Sequence, residues 1–488
     1  MNHHRDNACH LEDLAHESML EQGLAPDFSA EVEQQLAGIT GPAHENDPSI
    51  KDLRKLLWCS IDNDDSRDLD QLTVAEDLGG GSIRAMVAVA DVDALVKKNT
   101  PIDEHARQNT TSVYTASRIF PMLPEKLSTG FTSLNDNEER IALVMDMTVG
   151  SDGSVTKGDV YRALVHNKAK LAYNSVAEWL DGGEMPEKMR AVKGLDENLR
   201  MQDSIADKMR ELRHEHGALD LETIEARPVL QNGQVVDLKQ DKRNNARMLI
   251  EDFMIAANGV TARFLSGRKL PSLRRVVRSP ERWDRIEAIA AELGDSLPPD
   301  PDPVALSEFL VRRRKADPMR FPDLSLAIVK AMGAGEYVVE MPGENPIGHF
   351  GLAVRDYSHS TAPNRRFPDL ITHRLVKSAL HNANAAYTRD ELAQLAEHCT
   401  KMEDAANKVE RKVRKSAAAC LLQDRIGEHF DGIVTGAGPK GTWARVFHPP
   451  VEGKIVHGFD GLDIGERVRL KLIDVNVDAG FIDFVRTH

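Results

Sequence analysis

Residues 60–72 read Ser-Ile-Asp-Asn-Asp-Asp-Ser-Arg-Asp-Leu-Asp-Gln-Leu and follow an apolar run that ends at Trp58. This stretch contains five aspartates, at positions 62, 64, 65, 68 and 70. Carboxylates this close together repel one another and resist burial unless a partner compensates their charge. Their oxygens are hard ligands of the kind that magnesium, manganese or calcium prefers over zinc. The stretch therefore indicates either a divalent-cation site or a solvated acidic loop.

The spacing of the stretch excludes a calcium loop of the EF-hand type. Counted from Asp62, that loop needs glycine at its sixth position and glutamate at its twelfth. This chain has Arg67 and Thr73 there. The flanking residues predict strands, because residues 58–61 are mostly apolar and residues 83–92 form a β-prone run. Carboxylates near the ends of strands suit magnesium-assisted phosphate chemistry better than calcium storage.

The overall composition is that of an ordinary globular protein. The chain has 488 residues, 41% of them hydrophobic and 28% charged, which is enough for two or three domains. It has no apolar run near the ~20 residues that span a bilayer, and residues 1–21 lack the apolar centre of a signal peptide. The four cysteines include no C-x-x-C pair, which argues against a disulfide framework or zinc ribbon. We therefore expect a cytoplasmic protein without a membrane partner.

The charge balance limits how the chain could bind nucleic acid. With 62 Lys and Arg against 77 Asp and Glu, the net charge is −15, which argues against a nonspecific nucleic-acid coat. Two basic clusters, in residues 263–278 and 312–315, are more typical of solvated faces than of binding sites. An acidic exterior with local basic runs is nevertheless what a protein that threads RNA into a channel could show.

Three parts follow one another along the chain. Residues 1–48 predict a short helical segment, with helices over Leu11–Met19 and from Ser29 to Leu36. Residues 49–425 begin β-rich and become mostly helical. Their candidate helices are Lys168–Leu180, Asn244–Leu265, Pro280–Leu293, Asp323–Met332, Pro368–Leu380 and Arg389–Leu422. We therefore expect an α+β fold, in which a large mixed domain combines a sheet with surrounding helices.

The remaining part, residues 426–488, has a different pattern. Five short β-prone segments alternate with turns, which is typical of a small closed barrel of the OB type. In this barrel Trp443, Phe447 and His448 could stack on bases. Alternatively, one or more of them could fill the core of the barrel.

Several motifs, taken together and in this order, resemble the ribonuclease II family, whose catalytic region is called the RNB domain. The acidic stretch resembles the first signature of that family. The further matching segments are Ser112–Tyr114 with Pro121–Pro124, Ala169–Tyr173, Leu249–Asn258, and His349–Leu352 with Tyr357–Arg374. The C-terminal part resembles the OB-fold RNA-binding module of the family, which is named after a small-subunit ribosomal protein. The resemblance covers roughly residues 50–488.

The resemblance implies a processive, magnesium-dependent 3′→5′ exoribonuclease that degrades single-stranded RNA to nucleoside 5′-monophosphates. The implied partner is single-stranded RNA, and the implied cofactor is one or two Mg²⁺ ions, with Mn²⁺ as a substitute. By the same resemblance the catalytic residues are Asp62, Asp68, Asp70 and Arg365. The three aspartates would bind metal, and Arg365 would contact the scissile phosphate. We expect the protein to act as a monomer.

The resemblance also implies residues that hold the RNA. Tyr114 and Tyr173 match tyrosines that contact the terminal nucleotides, and Glu251 and Glu410 match carboxylates expected at ribose hydroxyls. The remaining residues expected at the RNA are Arg227, Arg365, Arg366 and Trp443. For each tyrosine a role in the core is the alternative, and for Arg366 the alternative is an ion pair with Asp369. His373 and Arg374 are expected to be buried polar supports.

This chain departs from the family pattern at several positions. Gln71 stands where many members have a further aspartate, so its amide would be a weaker metal ligand and a second ion would bind less tightly. Arg227 stands near the position of an aromatic residue that clamps RNA in some relatives. Typical members carry two cold-shock-type barrels before the catalytic region, and about 50 helix-prone residues are too few for one such barrel. We therefore expect a more open RNA entrance and a different response to structured RNA.

Two other functions remain open at this point. One is an RNA-binding protein that has kept the RNB fold with weak or no catalysis, which Gln71 supports. The other is a metal-dependent endonuclease, which would cut circular RNA where an exonuclease would not.

Overall fold

The computed structural model describes residues 10–222, 226–231, 234–240, 243–438, 441–462 and 464–487. The strands are β1 Lys51–Asp52, β2 Cys59–Asp62, β3 Gln71–Gly79, β4 Ser82–Ala90, β5 Val113–Tyr114, β6 Ile119–Phe120, β7 Glu139–Val149, β8 Val155–His166, β9 Ala169–Ala172, β10 Ala226–Gln231, β11 Gln234–Gln240, β12 Ser272–Val276, β13 Glu336–Glu340, β14 His429–Gly438, β15 Gly441–Val446, β16 Glu452–His457, β17 Arg467–Asn476 and β18 Phe481–Thr487. The α-helices are α1 Leu11–Glu21, α2 Ala30–Ala37, α3 Pro101–Asn109, α4 Tyr173–Leu180, α5 Glu187–Arg190, α6 Leu195–Glu215, α7 Asn245–Gly267, α8 Trp283–Glu292, α9 Pro303–Ala316, α10 Phe321–Met332, α11 Phe367–Leu380 and α12 Arg389–Leu422.

The acidic stretch belongs to the main sheet. Within the described residues this sheet has seven strands in the order β1-β8-β7-β4-β3-β2-β9. The outer pairs β1–β8 and β2–β9 are parallel, and the pairs between them are antiparallel. In the central strand β4, every residue from Ala85 to Ala90 is buried. That continuous apolar run is what a strand covered on both faces requires.

The pairing of β2 with β9 sets the position of the acidic stretch. Asp62, the last residue of β2, lies opposite Ala172, the last residue of β9. Helix α4 begins at the next residue, Tyr173. The loop after Asp62 ends at Asp70, whose carbonyl oxygen accepts a hydrogen bond from the N–H of Ala90 at 3.0 Å. The sheet therefore fixes both ends of the acidic loop and brings Tyr173 beside it.

Helix α7 packs closely on the same sheet. A Cβ atom added to Gly158 of β8 would lie 3.0 Å from both γ-methyl carbons of Val260 on α7. Real side chains rarely approach that closely, so glycine at this position lets the helix backbone come near the sheet. The N-terminus of α7 is fixed by Asn244, whose side chain accepts the N–H of Arg247 at 3.0 Å.

Most of the predicted helices are confirmed with small changes at their ends, and the long helix over residues 389–422 has the predicted bounds. The single helix predicted over Lys168–Leu180 is wrong in its first part. Residues 169–172 form β9 because their backbone groups pair with β2, and these tertiary hydrogen bonds outweigh the helical pattern of the side chains. The helices α3, α5, α6 and α9 were not predicted.

The C-terminal barrel is confirmed. In the described part of the chain, five strands close it in the order β14-β15-β16-β18-β17. Ala444 and Val446 of β15 face its core, together with Leu422 from the end of α12. Trp443 is half-buried and lies outside that core cluster, so the alternative that it fills the barrel core is wrong.

Most arginines of the two basic clusters form ion pairs with nearby carboxylates. Arg274 is buried and donates to Glu340 at 2.8 Å. Arg314 of α9 lies within ion-pair distance of Asp220 and Glu222. These arginines stabilise the packing of the elements that they join. The interpretation of the first cluster as a solvated face is wrong for Arg274, which is buried.

No helix within the described ranges is long and apolar enough to cross a membrane. Cys59 and Cys399 are buried free thiols. Cys420 is disulfide-bonded, so the argument against disulfides from the wide spacing of the cysteines is wrong for this residue.

Candidate active site

Asp62 begins the candidate site at the end of β2. Its Oδ1 accepts hydrogen bonds from the Ser66 hydroxyl and the Asn63 N–H, both at 2.9 Å. Burial raises the pKa of this carboxyl above its usual range, although these two hydrogen bonds oppose the shift. Asp64 and Asp65, farther along the loop, are exposed, as expected for loop residues.

Asp70 is the most buried of the aspartates in this stretch, with 2% of its surface exposed. Its Oδ1 accepts the N–H of Asn364 at 2.9 Å, and its Oδ2 accepts Nε–H of Arg365 at 3.2 Å. Burial raises its pKa to about 7, against the attraction of Arg365. The Arg365 side chain is 43% exposed, so it can meet a ligand while it holds Asp70.

The position of Arg365 depends on the segment that precedes β5. Its carbonyl oxygen accepts hydrogen bonds from the Ser112 N–H at 3.0 Å and from the Thr111 hydroxyl at 3.1 Å. Two residues after Ser112 the same segment carries Tyr114. The backbone therefore links the arginine to the first of the expected RNA-binding tyrosines.

Tyr114 joins this segment to the aspartates and to α12. Its hydroxyl donates to Asp68 Oδ2 at 3.1 Å, and its backbone N–H donates to Glu410 Oε1 at 2.8 Å. Burial and the nearby Asp68 raise the pKa of the hydroxyl. The residue as a whole is 41% exposed although its hydroxyl is buried, so the core role considered for Tyr114 is wrong.

Tyr173 lies beside Asp62, at the start of the acidic loop. The guanidinium carbon of Arg247 is 4.7 Å from the centre of the Tyr173 ring, and Nη2 of Arg247 donates to Asn63 Oδ1 at 2.7 Å. Burial and the charge of Asp62 raise the pKa of the Tyr173 hydroxyl. Hydrogen bonds join Tyr114 to Asp68 and Arg365 to Asp70, and the charge of Arg365 also opposes the rise in the pKa values of Asp62 and Tyr173, so these six residues lie in one site.

The donor set of this site fits a hard divalent cation. Burial raises the pKa values of Asp62 and Asp70, and a bound cation is what would keep such carboxylates ionised. Among the residues that the structure describes, no three His, Cys, Asp or Glu side chains already form a metal-binding group. Metal ligation by Asp62, Asp68, Asp70 and Gln71 stays a prediction. Gln71 begins β3, where its backbone pairs with Val89.

Other predicted RNA-binding residues lie on separate elements. Glu251 is exposed on α7 and accepts Nη2–H of Arg243 at 2.9 Å. Arg227 is exposed on β10, opposite Lys239 of β11. Trp443 lies on the barrel. Their contacts with RNA remain predictions.

Arg366 has the structural role that was considered as its alternative. Its Nη2 donates to Asp369 Oδ1 at 2.8 Å, and the Asp369 side chain is fully buried. His373 and Arg374 are also buried, with hydrogen bonds to Ser360 and to Asp93. These two residues are the polar supports that the sequence indicated.

Sequence reasoning missed two cations beside the acidic loop. Arg247 lies four residues before Glu251, on the same face of α7, and this spacing could have identified it. Lys170 donates from Nζ to the carbonyl oxygens of Asp64 and Ser66. Its local sequence gives no comparable signal, because the contact depends on the pairing of β9 with β2.

Comparison with known proteins agrees with this arrangement. Residues 50–382 match the RNB domain model, and residues 428–487 match the RNase II-type exonuclease C-terminal S1 domain. Ribonuclease R of Escherichia coli (strain K12) is 33% identical over 493 residues, which cover 93% of this chain and 59% of that protein. The chain thus spans less than two thirds of that curated relative.

Two solved structures show the same fold. Mycoplasma genitalium RNase R in complex with ribose-methylated single-stranded RNA has a TM-score of 0.88 at 22% identity, covering 99% of this chain and 78% of that chain. Yeast Ssd1, described as a pseudonuclease, has a TM-score of 0.72 at 14% identity, covering 94% of this chain and 57% of that chain. With its RNB domain followed by an RNase II-type S1 domain, the chain belongs to the ribonuclease II family.

Proposed function

We propose that the protein is a processive 3′→5′ exoribonuclease that uses a divalent metal to degrade single-stranded RNA to nucleoside 5′-monophosphates. The observation that carries this proposal is the cluster of Asp62, Asp68 and Asp70 around Arg365: Arg365 donates to Asp70, and the charges of Arg365 and Asp68 both act on the pKa of Asp62 and of Asp70. A family member that only binds RNA would not need buried carboxylates beside a half-exposed arginine. The proposal includes the division at residues 48 and 425, action as a monomer and a cytoplasmic location.

The side chains of the site have distinct tasks in this reaction. Arg365 holds Asp70 through Nε, and the rest of its planar fork can bind the oxygens of the scissile phosphate. Tyr114 and Tyr173 hold the terminal nucleotides. Glu410 and Glu251 accept hydrogen bonds from ribose 2′-hydroxyls, which favours RNA over DNA. Holding the phosphate and the terminal nucleotides in one geometry lowers the entropic cost of reaching the transition state.

Asp62, Asp68 and Asp70 would hold one or two Mg²⁺ ions, with Gln71 as a neutral and weaker ligand. When bound, the cation would activate a water molecule and offset the charge that develops on the phosphate. Asp68 could ligate the cation through Oδ1 while its Oδ2 keeps the hydrogen bond from the Tyr114 hydroxyl. Mn²⁺ has the same preference for oxygen ligands and should replace Mg²⁺.

The test is incubation of 5′-labelled single-stranded RNA with the full chain and Mg²⁺. A ladder of shortening products with release of nucleoside 5′-monophosphates is expected, and circular RNA of the same sequence should stay intact. EDTA should stop the reaction. Cleavage of the circle would show an endonuclease and would contradict the proposal.

The second candidate is an RNA-binding protein with weak or no catalysis, which Gln71 favours because it removes one negative charge from the expected metal site. The fold does not decide between the two functions, since a pseudonuclease shares it. Intact linear RNA together with a shift in its electrophoretic mobility would support this candidate.

A further inference from the structure

Arg247 connects two parts of the candidate active site. It donates from Nη2 to Asn63, the residue after Asp62, at 2.7 Å. Its guanidinium carbon lies 4.7 Å from the centre of the Tyr173 ring. One side chain therefore contacts both the loop that carries the aspartates and the tyrosine expected to hold the terminal nucleotide.

Hydrogen bonds of the Asn244 side chain fix the backbone position of Arg247. Asn244, the N-cap of α7, accepts the backbone N–H of Arg247 at 3.0 Å. The same Asn244 donates from Nδ2 to Asn174 Oδ1 at 3.2 Å, and Asn174 directly follows Tyr173. The start of α7 and the start of α4 are thus joined at one residue. The contact between Arg247 and Tyr173 follows from that junction.

We propose that Arg247 is a positioning residue that sets the orientation of the Tyr173 ring and thereby the stacking of the 3′-terminal nucleotide. This inference rests on the proposed function. A planar guanidinium can lie over an aromatic ring while an N–H at its edge donates a hydrogen bond. The ammonium group of a lysine is a point charge without this plane, so it cannot make both contacts in the same way. Arginine is therefore the side chain that this arrangement requires.

The chain offers a matched control, because a second arginine lies over another aromatic ring of α4. The guanidinium carbon of Arg200, an exposed residue of α6, lies 4.4 Å from the centre of the Trp179 ring. Trp179 lies on α4, as Tyr173 does. Arg200→Ala therefore removes a contact of the same kind from α4 without touching the site.

A binding experiment in EDTA tests the inference without hydrolysis. The probe is a single-stranded RNA with 2-aminopurine as its 3′-terminal base and a dye at its 5′ end. We expect Arg247→Ala to lose most of the 2-aminopurine fluorescence change, while the dissociation constant from dye anisotropy rises by less than about threefold, because phosphate contacts elsewhere supply most of the affinity. Arg247→Lys should be intermediate, and Arg200→Ala should match the wild type.

Two results of this binding experiment would overturn the inference. An unchanged 2-aminopurine signal in Arg247→Ala would overturn the inference. So would an equal loss in Arg200→Ala, because the effect would then come from α4 in general. If the wild type fails to shorten RNA, the proposed function fails while the fluorescence signal still tests Arg247.

Turnover gives a second, independent readout. A misplacement of about 1 Å can cost roughly a hundredfold in rate, so kcat of Arg247→Ala should fall by about ten- to a hundredfold while KM changes little. If Arg247 acts through Tyr173, the same substitution should have little further effect in a Tyr173→Ala background. Additive losses in the double variant would show that Arg247 acts by another route.

Discussion

At the scale of single residues, Asp70 combines deep burial with a carboxyl group whose pKa burial raises to about 7. Its carboxylate is nearly inaccessible and is held by one side-chain and one backbone donor. A group in such a place costs stability when it is ionised and has no cation. A role in binding a cation therefore explains an aspartate at position 70 better than a role in packing does.

Asp70→Asn should abolish RNA hydrolysis and leave RNA binding nearly intact. The amide keeps the size of the side chain and an acceptor for the N–H of Asn364 or Nε–H of Arg365, but it loses the negative charge that a metal needs. Product ladders and anisotropy titrations on the same 5′-labelled RNA measure the two effects. The matched control is Asp65→Asn, which removes an exposed carboxylate from the same loop and should keep activity. Retained hydrolysis in Asp70→Asn would remove the assignment of this residue as a metal ligand.

Gln71→Asp tests the most unusual position in the acidic stretch. If Gln71 faces the metal site, an added carboxylate should tighten Mn²⁺ binding by about tenfold, because it supplies a charged oxygen ligand. Electron paramagnetic resonance of free Mn²⁺ gives the affinity and the number of ions per chain. Equal titrations for the variant and the wild type would show that position 71 is not a ligand.

At the scale of elements, the loop between β2 and β3 depends on a cation from β9. Lys170 donates from Nζ to the carbonyl oxygens of Asp64 and Ser66. Parallel pairing of β9 with β2 brings this lysine under the loop. The loop is therefore held by Lys170 from the sheet and by Arg247 from α7.

Lys170→Met should loosen this loop and weaken Mn²⁺ binding by roughly tenfold, since the aspartates would no longer be held in one geometry. The apolar chain of methionine keeps most of the packing of lysine and removes its donors. Lys168→Met is the control, because Lys168 contacts His166 and not the loop. Hydrogen exchange of residues 62–70 should rise in the first variant alone. Unchanged hydrogen exchange and unchanged Mn²⁺ affinity in Lys170→Met would show that the contacts of Lys170 do not hold the loop in place.

Helix α3 carries a buried histidine, His105, whose protonation makes the free energy of unfolding depend on pH. His105 is 8% exposed, its ring centre lies 4.4 Å from that of Phe28, and burial lowers its pKa from 6.5 to about 4. Because the folded state has the lower pKa, the unfolded chain binds a proton first as pH falls. The stability that depends on neutral His105 is complete above pH 6.5 and is lost as pH falls towards about 4, at a cost of up to roughly 3 kcal/mol.

His105→Gln should remove that dependence. Urea unfolding at pH 7 and pH 5 measures the loss of unfolding free energy in each protein. The wild type should lose more of it than the variant, although the other buried histidines contribute the same loss to both. Parallel losses would show that His105 stays neutral for another reason or does not contribute.

The elements also show what a sequence can predict in this protein. The long helix over residues 389–422 and the barrel strands were predicted because their patterns are local and continuous. The segment over residues 169–172 was not, because its strand exists only through pairing with β2. The candidate site shows the same difference. Asp62, Asp68 and Asp70 share one short motif, and Arg247 lies four residues before Glu251 on one helix. Lys170 reaches the loop only through the pairing of β9 with β2, which no local pattern indicates.

At the scale of the whole molecule, a buried ion pair holds the barrel to the helices between β12 and β13. Arg445 of β15 donates to both oxygens of Asp323 on α10, at 2.8 and 3.2 Å, and the Asp323 side chain is 4% exposed. Arg445 and Trp443 are two residues apart on one strand, so they point to the same side of it. The pair therefore also sets where Trp443 lies relative to the catalytic region.

Arg445→Met should loosen this attachment and leave both folds intact. Breaking a buried pair leaves an uncompensated carboxylate and costs about 3–5 kcal/mol, which should appear as faster hydrogen exchange in β15 and α10 and as weaker binding of long single-stranded RNA. Arg469→Met is the control, because its pair with Asp431 at 2.7 Å is exposed and such pairs contribute at most about 1 kcal/mol. Adding Asp323→Asn to Arg445→Met should restore part of the attachment, since the buried charge is then gone. If the double variant is no better than Arg445→Met alone, the loss comes from the packing of the arginine chain and not from the charge that it leaves behind.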